Sequence, residues 1–100
     1  MQMKLLTKEI LKKLPNLGET EKLGLKAKAV VKFFDPCSSW TWYPTEFDKQ
    51  DTFFGLVIGF EKELGYFSLK ELESVKNKLG LGIERDKFFE PITLEELMRK

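Results

Sequence analysis

Three times in this chain a hydroxyl side chain stands directly after a Leu, Ile or Phe and four positions before a Leu. The pairs are Leu6 and Leu11 around Thr7, Phe67 and Leu72 around Ser68, and Ile92 and Leu97 around Thr93. Such a hydroxyl accepts a hydrogen bond from a backbone N–H of the first helical turn, and the apolar pair staples the incoming chain to that turn. Glu71 and Glu96, three residues after Ser68 and Thr93, complete capping boxes. The code predicts helices over about 8–14, 69–79 and 94–99. Pro15 stops the first, and Gly80 offers the second a residue that takes the left-handed conformation without strain. In the second helix Leu72, Val75 and Leu79 share a face, with Lys70, Glu73 and Lys76 elsewhere.

Between the first two helices the hydrophobic period changes from 3.6 to 2, and β-branched and aromatic residues become frequent. Ala27 to Phe34 reads as a strand closed by the turn Asp35-Pro36, Trp40 to Thr45 as a second and Phe53 to Phe60 as a third. Glu46 to Asp51 suits a hairpin loop, Gly65 to Phe67 a short fourth strand, and Pro15 to Lys26 a mobile loop. In the third strand Phe54, Leu56, Ile58 and Phe60 fall on one face, read as core. On the other face Gly55 and Gly59 leave bare backbone for the Trp40/Trp42 pair of the neighbouring strand to cover. The expectation is an α+β fold: a small antiparallel sheet of three to four strands with two to three helices packed on one face.

One hundred residues, 42% of them apolar and nine of them Phe, suffice for one core, so a single globular domain over 1–100 is expected. The formal charge of +1 excludes a field that drives the whole chain onto duplex nucleic acid or an anionic membrane. Its distribution is uneven: residues 1–32 hold eight Lys and three Glu, and the remainder is net acidic. The lone Cys37 excludes an internal disulfide, and the N-terminus lacks a signal-peptide layout, so the cytoplasm is the expected location. The longest apolar run, Phe53 to Phe60, is far short of the ~20 residues that cross a bilayer, and no membrane contact is expected.

Five blocks carry a resemblance: Lys4-Leu5-Leu6-Thr7, Ser38-Ser39-Trp40-Thr41-Trp42-Tyr43, Phe53-Phe54-Gly55, Glu63-Leu64-Gly65-Tyr66-Phe67-Ser68 and Glu84-Arg85-Asp86. Together, from about residue 3 to residue 97, they resemble the bacterial, plasmid and phage family designated domain of unknown function 2958. The resemblance implies a small separate product, often encoded on mobile elements. It marks Ser39, Trp40, Trp42, Tyr43, Glu46, Arg85 and Asp86 as candidate binding positions within or beside matching blocks, and leaves Cys37 outside them.

The chain has no histidine, which removes Ser-His and Cys-His nucleophilic pairs and any imidazole-ligated metal. Catalytic residues, metal ligands and cofactors are therefore expected to be absent. Glu46, Asp48 and Asp51 share one predicted loop, but their spacing lacks the Gly and closing Glu of a calcium loop, and a solvated hairpin tip is the plainer reading. Ser38 to Tyr43 offers two Trp and a Tyr among hydroxyls, a surface for stacking on a base or anchoring a protein; ordinary core packing is the alternative. Arg85, between Glu84 and Asp86, either grips an anion or locks its loop through internal pairs. Gly80 and Gly82 lack the context of a dinucleotide-binding loop. Lys4, Lys8 and Lys12, with Lys13 beside them, form a basic stripe that meets an anionic partner or is simply solvated.

Three functional classes follow. The first is a small non-catalytic interaction protein, carried by a phage or mobile element, that modulates or inhibits a host defence system through a protein partner. The second is a nucleotide or single-stranded nucleic-acid binder that stacks a base on Trp42 or Tyr43 and holds phosphate with Arg85 or the N-terminal lysines. The third, least supported by the residues, is an enzyme with a carboxylate/Arg site, which requires Glu46, Arg85 and Asp86 to converge in one pocket. An exposed sheet edge would also permit a homodimer.

Overall fold

A computed structural model describes residues 4–100. All three hydroxyl caps form: Thr7 Oγ1 accepts from Ile10 N, Ser68 Oγ from Glu71 N and Thr93 Oγ1 from Glu96 N, each at 3.2 Å. They open α1 (Lys8–Lys13), α2 (Leu69–Ser74) and α3 (Leu94–Arg99). Each staple pair ends in one apolar cluster, with Leu6, Leu11, Phe67 and Leu72 in the first and Ile92 and Leu97 in the second.

Helix α2 is five residues shorter than its hydrophobic spacing predicts. Val75 turns extended, and the Asn77 side-chain oxygen accepts from Leu79 N (2.9 Å) and Leu81 N (3.1 Å), building a turn that competes with further helix. Gly80, at φ +76°, lies in that turn and not at the helix end, and Leu79 is 74% exposed. The start of α2 is held more firmly. Asp51 accepts from Ser68 Oγ (2.6 Å) and Lys70 N (2.8 Å), and its carbonyl accepts from Leu69 N (2.8 Å). Ser68→Ala is expected to lower the unfolding free energy by about 1 kcal/mol, the usual worth of a capping hydroxyl, measured as a reduced urea midpoint. An unchanged midpoint would mean that the Asp51 backbone contacts alone hold the helix.

Among the described residues seven strands form two sheets: β1 (Lys28–Ala29), β2 (Phe33–Phe34), β3 (Thr41–Phe47), β4 (Thr52–Ile58), β5 (Lys62–Ser68), β6 (Glu84–Arg85) and β7 (Ile92–Thr93). The main sheet has five antiparallel strands in the order β5-β4-β3-β2-β6, and β1 pairs with β7 apart from it. The fold is α+β as expected, but the sheet is larger than the three to four strands anticipated. The extra strand is β6, whose two residues carry too little periodicity to be read from sequence. The expected strand Ala27 to Phe34 is divided between the two sheets.

The helices do not lie on one face. Phe33, Phe47 and Phe53 bury one side of the sheet against Leu5, Leu6, Leu14 and Leu72, where α1 and α2 pack. Tyr43 and Leu56 bury the other against Ala27, Ala29, Leu94 and Leu97, where α3 packs. Both faces of β4 are thus core: Phe53 and Leu56 are fully buried, whereas Phe60, read as core, lies past the strand end at 96% exposure.

One irregularity sets the position of a candidate residue. The β3–β4 register shifts between Pro44 and Glu46, a bulge whose extra residue, Thr45, donates its hydroxyl to Phe54 O at 3.1 Å. The bulge adds one step to the alternation, so Glu46 stands opposite Phe54 on the α3 side of the sheet, and Phe47 stands opposite Phe53 with rings stacked at 4.3 Å.

Candidate functional site

The Ser38–Tyr43 segment splits between the two faces. Trp40 and Trp42 lie on one side, half-buried, with ring centroids 6.1 Å apart. Trp40 covers Gly59 as expected: a Cβ built there would sit 2.6 Å from Trp40 Cζ2. Its ring also meets Phe60 edge-on at 5.5 Å. Gly55 is covered instead by the backbone of Tyr43 and Pro44. Tyr43 faces the opposite way and is buried against Phe89 at 5.8 Å; burial, with the charge of Asp86, pushes its phenol above the usual range. Trp42 and Tyr43 therefore present no shared stacking surface, and Tyr43 is not available to a ligand. Ser39 is exposed, and its carbonyl accepts from Thr41 Oγ1 at 3.3 Å.

Glu46 is not at a solvated hairpin tip. Its side chain is only 4% exposed and reaches the turn between α1 and the 3₁₀ segment Glu21–Lys26. One carboxylate oxygen accepts from Gly18 N at 2.9 Å, and the other accepts from Thr20 N at 2.8 Å and from the Thr20 hydroxyl. Burial raises its pKa, but the bonds from the Thr20 hydroxyl and the two amides outweigh that and hold it below the usual glutamate range. The Pro15–Lys26 stretch, read from sequence as a mobile loop, is pinned to β3 by these bonds. The hairpin tip belongs to Asp48, whose Oδ1 accepts from the amides of Gln50, Asp51 and Thr52, with Lys49 at φ +67°. With Asp51 on α2, the three loop carboxylates have three separate tasks. Among the described residues no group of three or more acidic or cysteine side chains is placed to hold a metal ion.

Between the pinned 3₁₀ segment and the outer strands lies a groove of about 480 Å³. Glu46 and Thr20 close one end, and Leu25, Phe54, Leu64 and Tyr66 supply apolar walls. Leu25 and Leu64 are exposed, and Tyr66 is 71% exposed with its ring edge-on to Phe54 at 5.1 Å. These walls escaped the sequence reading. The available signal was Leu64 and Tyr66, two apart beside Gly65, which is a strand face with apolar residues pointing outward.

Arg85 and Asp86 lie at the other end of the strand order, on and just after β6. The Arg85 guanidinium donates to the Lys4 carbonyl, and Asp86 Oδ2 stands 4.0 Å from Lys32 Nζ. Glu46 lines the groove at β4 and β5 while Arg85 and Asp86 line a separate cleft, so the carboxylate/Arg pocket considered from sequence is not assembled. The expected basic stripe is solvated, with Lys4, Lys8 and Lys12 all exposed, and Lys13 lines a shallow cavity with Arg85 and Asp86. Cys37 is exposed in the turn after Asp35.

A family model described as Protein of unknown function (DUF2958) matches residues 5–97. The chain belongs to that family. No curated protein and no solved structure matches it. In this DUF2958 protein the five blocks noted in the sequence fall on α1's cap, β3, β4, β5 and β6, so four of the five build the main sheet. Among the described residues of this DUF2958 chain, no helix is long and apolar enough to cross a membrane.

Proposed function

We propose that this chain is a small non-catalytic interaction protein that docks a protein partner over the groove between the 3₁₀ segment and strands β4 and β5. One observation carries the reading. The groove has a closed end held by the bonds of Glu46 to Gly18 and Thr20, yet Leu25, Leu64 and Tyr66 leave its rim apolar and open to water. An aromatic or aliphatic anchor from another protein removes that rim from water at roughly 25 cal/mol per Å². The mobile-element setting implied by the family resemblance makes a host protein, such as a defence component, the natural partner.

The test compares the tagged wild-type chain with a Leu64→Ser/Tyr66→Ser variant in lysate of the host. The wild type is expected to retain one protein in stoichiometric amount, and the variant to lose it while still unfolding cooperatively in urea, since both side chains are exposed and lie outside the two apolar clusters. A wild type that retains nothing under several conditions, or a variant that retains the same protein, overturns the groove assignment.

A further inference from the structure

The opposite end of the strand order holds a second cavity, of about 390 Å³, lined by Lys32, Phe34, Arg85, Asp86, Lys87 and Phe88. Its composition differs from that of the groove. Two phenyl rings stand among three cations and one carboxylate. Phe88 is 91% exposed, and its backbone N–H donates to Asp86 Oδ1 at 2.9 Å, so a tight turn and not a loose chain presents the ring. Asp86 N in turn donates to Lys32 O at 3.0 Å, tying that turn to the sheet. The Lys32 ammonium lies 5.9 Å from the centroid of the Phe34 ring, a cation–π distance, and only loosely near Asp86 at 4.0 Å.

The fold uses Arg85 and Lys32, which meet the Lys4 carbonyl and Asp86, but it does not account for the exposed Phe88 ring. An exposed Phe at the tip of a polar turn adds nothing to either apolar cluster, and a surplus of positive charge beside it adds repulsion. A bare anion would answer the charge and leave the rings wet; an apolar side chain would answer the rings and leave the Lys32 and Lys87 ammoniums without a phosphate-like counter-charge. A ligand that joins a flat ring to a phosphate answers both.

We infer that this cleft is a nucleotide site, with the base stacked on Phe88 against Phe34 and the phosphate held by Lys32 and Lys87. Asp86 holds the Phe88 turn in place, and its weak hold on Lys32 leaves that ammonium able to swing to a phosphate. Arg85, oriented by the Lys4 carbonyl, adds positive potential to the wall. The site goes beyond the protein-docking reading and is separate from it, because no residue is shared between this cleft and the groove. It also uses a different aromatic pair from the one the sequence offered.

Isotope-labelled full-length protein titrated with adenosine monophosphate, with a single strand of about ten nucleotides and with orthophosphate tests the inference by amide chemical shifts. Saturable shifts are expected at Phe34, Asp86, Lys87 and Phe88 for both nucleotide ligands, weakening as salt is raised. Tighter binding of the strand would identify single-stranded nucleic acid as the source of the nucleotide, and equal binding a free mononucleotide. Phe88→Ala, at a side chain the core does not use, is expected to weaken nucleotide binding about tenfold while leaving the orthophosphate response unchanged. Lys32→Ala/Lys87→Ala is expected to weaken all three ligands. The inference is overturned if no nucleotide shifts these amides at millimolar concentration, if orthophosphate binds as tightly as the nucleotides, or if Phe88→Ala binds like the wild type. The Leu64→Ser/Tyr66→Ser variant should bind nucleotide normally, so failure here and failure of the docking reading are read separately.

Discussion

Gly55→Ala is expected to remove at least about 3 kcal/mol of stability, a large share of the 5–15 kcal/mol typical of a domain. Gly55 sits in β4 between Pro44 of β3 and Gly65 of β5. A Cβ placed on it overlaps the Tyr43 carbonyl oxygen and comes within 2.8 Å of Pro44 Cα. Both obstacles are backbone, so no rotamer change relieves them, and β3 has to move away from β4 at the bulge. Gly65, its cross-strand partner, provides the control. A Cβ there meets nothing within 4 Å, so Gly65→Ala is expected to be neutral or to stabilise by up to about 0.5 kcal/mol through reduced freedom of the unfolded chain. Urea midpoints of the two variants and the wild type decide the matter. A Gly55→Ala protein as stable as the wild type would refute the close approach of β3 to β4.

The second large effect is at Glu46. Glu46→Ala leaves the Gly18 and Thr20 amides and the Thr20 hydroxyl without their charged acceptor, and is expected to cost about 3 kcal/mol. Amide hydrogen exchange at Gly18 and Thr20 should accelerate with it, because the same bonds pin the turn. The pH dependence has a definite sign. The folded carboxyl titrates below its ordinary value of 4.5, so its contribution is complete above that value and is lost as pH falls through the lowered one. The stability difference between wild type and Glu46→Ala should therefore shrink as acid is added below about pH 4.5. A difference that stays constant into that range would show that the bonds do not depend on the carboxylate charge.

What was legible in the sequence was what is local. The three caps at Thr7, Ser68 and Thr93 need only neighbours within four residues, and all three form. A strand over Ala27 to Phe34 was also legible, and its alternate residues Ala27, Ala29, Val31 and Phe33 are all buried. Yet Ala27 and Ala29 enter the α3 core while Val31 and Phe33 enter the opposite one. A period of two tells which side of a strand is covered but not by which core, and so a split strand looks like one strand. Glu46 was singled out, but its task was not, because a single bulge residue carries it from a hairpin tip to the wall of a groove. Arg85 and Asp86 are neighbours in the chain, whereas their companions Phe34 and Phe88 lie 54 positions apart and share a cleft only through the pairing of β2 with β6.

The two ends of the main sheet are unequal. Among the described residues β5 runs for seven residues with a strand on one side only, whereas β6 at the far end is two residues long. Growth of a sheet from chain to chain into a filament needs a usable edge at each end of every subunit, one to receive and one to offer. Among the described residues of the main sheet only β5 qualifies, and the antiparallel pairing of one β5 with another would use both. If copies of this chain add backbone to backbone through β5, the pairing therefore closes at two and does not grow into a filament.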